Sequence, residues 1–106
     1  MDKLDDPDYI FKEGELLEDV KRYINSTYDQ HYASGKIQST EFTVSNGYGM
    51  AFFLANIQKY SSRYGKKDGF QRKDLLKVCH YAIMALYVHD EKADIDCYID
   101  VDKKHD

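Results

Sequence analysis

Two segments of helical periodicity, joined by a connection only a few residues long, constrain this chain more than any other feature. Residues 50–64 place Phe53, Ile57, Tyr60 and Tyr64 at i, i+4, i+7 and i+11, one face of a helix. Residues 71–89 carry Leu75, Cys79, Ala82 and Leu86 as one apolar row, widened by Leu76, Val78, Ile83 and Tyr87. Gly65 ends the first segment as a natural C-cap, and Gly69 keeps the connection tight. A connection this short permits only antiparallel neighbours, so the pattern predicts a helical hairpin. The row predicts a core-facing side for the second helix, with Cys79 inside it as a reduced thiol.

The rest of the chain is arranged around that hairpin. At 106 residues it is read as one domain: an acidic lead-in over 1–12, a helical core over 13–90 and an acidic tail over 91–106. Asp6-Pro7 fits the start of a short helical turn. Residues 13–30 predict a first helix with Leu16, Leu17, Val20, Tyr23, Ile24 and Thr27 turned inward and Glu15, Glu18, Asp19, Lys21 and Arg22 outside. His31–Lys36 reads as a connection, with Gly35 available for a left-handed turn. Residues 37–46 fit two templates, because Thr40, Phe42 and Val44 alternate as in a strand while the length also suits a short helix. In the tail Ile95, Cys97, Ile99 and Val101 alternate with polar residues, the pattern of a short strand. Such a strand must pair with residues 40–44, pair with a copy of itself, or stay loose. The expected class is therefore mainly α: a small helical domain with a central antiparallel hairpin and a short C-terminal strand.

Charge is unevenly distributed. The chain as a whole is -4, yet between Asn56 and Tyr81 seven cations face only Asp68 and Asp74. Asn56, Lys59 and Arg63 share a face at i, i+3 and i+7, and Asp74, Lys77 and Tyr81 repeat that spacing on the next helix. With Lys66 and Lys67 in the turn, the pattern suits a localised anion site. Arg grips phosphate through paired hydrogen bonds, Lys adds a mobile charge, and Asn reads a base or sugar edge. A solvated helix face with lysines favouring its C-terminus is the plainer reading of the same residues. Asp74, in a first helical turn among Arg72, Lys73 and Lys77, suits either proton acceptance and lysine orientation or simple stabilisation of the helix end. His31 has the chemistry for phosphate contact or proton transfer. Ten tyrosines suit subunit contacts or a ligand surface as well as they suit a small core.

Several classes find no support. Neither GxxxxGK[ST] nor GxGxxG occurs, and Gly47-Tyr48-Gly49 is a two-glycine turn. The cysteines and histidines form no metal-ligand cluster, and the tail acids lack the spacing of a calcium loop. Glu15, Glu18 and Asp19 lack the second acidic pair that a helical pyrophosphatase needs to hold magnesium. No apolar run is long enough to span a membrane, and the acidic N-terminus lacks a signal-peptide core.

The ordered string His31-Tyr32, Gly35-Lys36-Ile37, Asn56-Ile57-x-Lys59-Tyr60-x-x-Arg63-x-Gly65-Lys66-Lys67, then Asp74-Leu75-x-Lys77 and Tyr81, resembles a family of small tailed-phage proteins, mostly of unknown function. That family includes an early podophage deoxynucleotide kinase that lacks a Walker motif. Ala55 stands where the family pattern has Gly, and Tyr64 where it often has Ala. The resemblance implies a helix rather than a strand at 37–45, a phage protein resident in the cytoplasm of an infected bacterium, and phosphate handling. The leading expectation is binding of a nucleoside phosphate: Lys59, Arg63, Lys66, Lys67 and His31 on phosphate, Asn56 on base or sugar, Asp74 and Lys77 as the catalytic pair. ATP would be the phosphoryl donor, no metal site is assigned, and catalysis would rest on positioning and charge neutralisation. The alternative is a non-enzymatic protein that binds and modulates a host protein through its acidic ends. Homo-oligomerisation is expected, and the overall negative charge opposes nucleic-acid binding.

Overall fold

The computed structural model describes residues 6–91, with the backbone alone at 31–34. Four helices occur there in order: α1 Glu13–Ser34, α2 Lys36–Ser45, α3 Gly49–Arg63 and α4 Arg72–Glu91. The fold is mainly α, as expected. Asp6-Pro7 starts no helix; α1 begins at Glu13, whose carboxylate accepts a hydrogen bond from the Phe11 backbone N–H at 2.9 Å.

One boundary differs from the sequence reading, and the open choice at 37–45 falls to the helix that the resemblance implied. Helix α1 continues through His31–Ser34, so the bend to α2 is made by Gly35 alone, at φ 79°. Residues 37–45 are helical, and the alternation of Thr40, Phe42 and Val44 is not a strand. The hydroxyls of Thr40 and Thr43 donate to the carbonyls of Lys36 and Ser39, one helical turn back, each at 3.0 Å. Phe42 stays 70% exposed, so period-two burial never operated there. A tail strand therefore has no strand partner at 40–44; the tail itself, from residue 92 on, lies outside the described residues.

The hairpin forms as predicted. Arg63 at the end of α3 meets Asp74 at the start of α4, Tyr60 meets Tyr81, and Phe53 and Val88 share the core at the far end. The chain is thus antiparallel across the 64–71 turn. Gly65 adopts φ +82°, and a Cβ there would lie 2.6 Å from the Phe70 ring, which packs edge-on against Tyr64. The turn closes through the Gly65 N–H donating to the Gly69 carbonyl at 2.9 Å, while the N–H groups of Lys66 and Lys67 cap the Arg63 carbonyl.

The core is small and sits at the end of the hairpin away from the basic turn. Met50, Phe53 and Val88 form it, with Val44 of α2 and Leu54, Tyr81, Met84 and Ala85 packed around them. Helix α1 crosses the hairpin with Val20 and Thr27 buried, and Arg72 of α4 donates to Asp19 of α1 at 2.8 Å. Four of the six residues predicted to face inward are buried or half-buried, while Leu16 and Leu17 are 44% and 63% exposed.

The larger correction concerns α4. The row Leu75, Cys79, Ala82 and Leu86 does not face the core: Cys79 is exposed, as are Leu75 and Leu86. The side that packs on α3 holds Asp74, Tyr81, Ala85 and Val88 instead. A helix with apolar residues on two sides offers two seams, and hydropathy ranked the wrong one first because the true seam begins with a charged residue.

Candidate functional site

The residues that converge do so because α3 and α4 bring their charged ends to one place. Lys59, Tyr60 and Arg63 lie on the last turns of α3; Asp74, Lys77 and Tyr81 lie on the first turns of α4. Antiparallel pairing sets the two groups face to face. The hub is the Tyr60 ring. Lys59 Nζ stands 5.1 Å from its centroid, Arg63 Cζ 5.5 Å and Lys77 Nζ 5.0 Å, all within the range of cation–π attraction. Tyr81 stacks on Tyr60 with centroids 6.0 Å apart and planes 9° from parallel.

Beneath the cations lies a buried carboxylate. Asp74 is 3% exposed, and its Oδ1 is 3.7 Å from Arg63 Nε, an ion pair too long for a direct hydrogen bond. Arg63 Nε and Asp74 Oδ2 are both buried and have no hydrogen-bond partner. One carboxylate against the three cations at Tyr60 leaves the cluster positive. In a partly desolvated setting such an excess attracts an anion more strongly than the same charges do in water.

Aromatic residues close the inner side. Burial pushes the Tyr81 phenol above its ordinary value, and the neighbouring Tyr60 and Tyr23 phenols push it further. Tyr23 of α1 is raised for the same reasons, burial first and Tyr60 second. Tyr23 meets the His80 ring edge-on at 6.0 Å, and His80 stacks beside Tyr81. Tyr60, Tyr81 and Tyr23 thus form an aromatic floor next to the cations.

The structure sorts the predicted residues. Lys59, Arg63, Asp74 and Lys77 come together. Asn56 sits one turn before Tyr60, half-buried, with its Nδ2 donating to the Phe52 carbonyl at 2.9 Å. Lys66 and Lys67 lie on the exposed turn beyond Arg63. His31 is part of α1, and its side chain lies outside the described residues. Arg72, counted in the basic stretch, is drawn to α1 by Asp19, whose carboxyl is held below its ordinary range by hydrogen bonds from Arg72 and then Arg22.

Sequence reading undervalued Tyr60 and missed Tyr23. Tyr60 belongs to the α3 apolar stripe by spacing, and its signal was a stripe aromatic flanked by cations at i−1 and i+3. Tyr23 carried no local signal, since only tertiary packing brings α1 to the hairpin. Among the described residues no group of three His, Cys, Asp or Glu side chains gathers as a metal site, and no helix is long and apolar enough to cross a membrane.

No curated protein and no solved structure matches the chain. The model of the DUF3310 family, proteins of unknown function, matches residues 24–83, which hold α2, α3, most of α4 and every cation at the Tyr60 hub. That match spans more than half of the 106 residues, and the chain belongs to the DUF3310 family.

Proposed function

We propose that this protein binds a nucleoside phosphate at the basic end of the α3–α4 hairpin, as a phage nucleotide-handling protein of the kind its motif string resembles. One observation carries the reading: Lys59, Arg63 and Lys77, from two helices, surround a single tyrosine ring within 5.5 Å of its centroid. Three cations gathered this closely repel one another, and a polyanion relieves that repulsion. Arg63 and Lys77 hold the phosphate, with Lys59 at its edge. Asn56 and the Tyr60–Tyr81 pair lie inward of the cations and offer the mixed polar and flat surface that a base or sugar needs. Buried Asp74 orients Arg63 and does not itself meet the substrate, while Lys77 is the cation placed to neutralise charge on a transferred phosphoryl group.

The test is a melting series with deoxynucleoside monophosphates and ATP. A nucleotide at a hundredfold its Kd adds about 2.7 kcal/mol of stability and raises the melting temperature. Arg63→Ala and Lys77→Ala each weaken that binding by about tenfold or more, the usual worth of a charged hydrogen bond. A flat melting temperature with every nucleotide rejects the site. Phosphoryl transfer from ATP to a monophosphate is assayed separately, and binding without transfer removes the kinase-like part of the reading alone.

A further inference from the structure

Helix α3 carries one more ring on the face that holds the cations. On a helix of about 3.6 residues per turn, Phe52, Asn56, Lys59 and Arg63 share one face, within about 60° of arc. Two contacts fix the Phe52 ring: Phe53 lies 5.7 Å away and Tyr81 6.3 Å away, the latter edge-on. Phe52, Phe53, Tyr60 and His80 all pack against Tyr81. Phe53 is buried, Tyr60 and His80 are half-buried, and Phe52 is the exposed member at 39%. Tyr60 is committed to its three cations, whereas Phe52 has surface left for a ligand.

The spacing along this face matches one kind of ligand. Phe52 stands eight residues before Tyr60, about 12 Å of helix rise, with Asn56 midway. Tyr81 joins the two ends from α4, 6.3 Å from Phe52 and 6.0 Å from Tyr60. Asn56 donates from Nδ2 to the Phe52 carbonyl, which uses one of its two N–H donors and holds the amide between ring and cations. The face therefore offers an open ring, then an amide, then positive charge. A nucleoside monophosphate is built in the same order: flat base, hydroxylated sugar, phosphate. A sugar phosphate or an inorganic anion uses only the charged end.

We propose that Phe52 is the base platform of this site: the nucleobase stacks on its ring, Asn56 meets the base or sugar edge, and the phosphate lies among Lys59, Arg63 and Lys77. The inference rests on the nucleotide-binding reading above and narrows it to phosphates that carry an aromatic base. Stacking tolerates any base, since every base has a π-face. Phe52 thus sets the class of ligand and leaves the choice among bases to Asn56.

The experiment uses the full chain and two probes that differ only by the base. One is the deoxynucleoside monophosphate that gives the largest melting shift; the other is 2-deoxyribose 5-phosphate. In titration calorimetry Phe52→Leu weakens the nucleotide by about tenfold and leaves deoxyribose 5-phosphate unchanged, while Phe52→Tyr binds the nucleotide as the native chain does. Arg63→Ala weakens both probes. In NMR of the native chain the base protons move upfield and show contacts to the Phe52 ring, a readout that keeps the test decisive should Phe52→Leu fail to fold. A nucleotide bound equally by the native chain and Phe52→Leu overturns the platform and leaves the phosphate site standing. Equal losses for both probes overturn it too, because they assign Phe52 to packing alone. So do base protons that make no contact with Phe52. If no nucleotide binds the native chain, the phosphate site and the platform fall together.

Discussion

Gly65 shows how one backbone position sets the site. Arg63 ends α3, and the chain must reverse at once for α4 to bring Asp74 and Lys77 back to it. The reversal runs through φ +82° at Gly65, with the Phe70 ring over the place where a Cβ would stand. Gly65→Ala is expected to cost about 1–2 kcal/mol, the usual penalty for a left-handed conformation in a residue with a Cβ. Phe70 is 78% exposed and free to swing aside, so Phe70→Ala in the same background recovers only the steric part. Urea denaturation of the single and double variants separates the two contributions, and full recovery in the double variant would show that backbone strain is negligible. At the same scale, Asp74 and Tyr60 illustrate two kinds of legibility. Asp74 is identifiable in the sequence as an acid among bases, but its burial against Arg63 is not. Tyr60 is identifiable as part of an apolar stripe, but its place under three cations is not, because two of the three distances depend on how neighbouring side chains lean and one on α4.

Among the elements, α3 and α4 were predictable as a pair and α1 was not predictable as their neighbour. A short connection fixes the direction of adjacent helices, whereas α1 reaches the hairpin through Asp19–Arg72 and Tyr23–His80, pairs distant in sequence. The Asp19 link makes a pH prediction. Its carboxyl titrates below the ordinary value of 3.8 in the folded chain because Arg72 and Arg22 favour the charged form. A depressed carboxyl pKa contributes stability that is present above the unfolded value and is lost as the pH falls through the folded one. Arg72→Ala should move the Asp19 midpoint upward, followed by the carboxyl carbon shift in NMR, and should flatten the acid limb of the stability profile below about pH 4. An unchanged midpoint would mean that α1 and α4 are held together by other contacts. The C-terminal limits of the helices carried less information. His31–Ser34 continue α1 although polar and near Gly35, and residues 37–45 coil although their alternation suits a strand. In both places the residue types permit either state, and alternation or polarity alone does not choose between them.

For the whole molecule, the balance is a small core at one end of the hairpin and a charged, aromatic cluster at the other. Phe53, 2% exposed, and Val88, fully buried, anchor the first end. Phe53→Ala is expected to destabilise the chain by about 3–5 kcal/mol, a large share of the total for a domain of this length. Thermal unfolding by circular dichroism measures it; a loss below about 1 kcal/mol would mean that the core is held elsewhere. By itself the sequence determined the helical class, the hairpin, its basic turn and most of the residues gathered there, since periodicity, glycine placement and charge are local properties that survive without knowledge of neighbours. Only the tertiary structure decided which apolar side of α4 is buried, which cations are matched by carboxylates, and that a tyrosine is the hub. Those outcomes arise from contacts between segments far apart in the chain, and burial depends on what lies opposite a residue as much as on the residue itself.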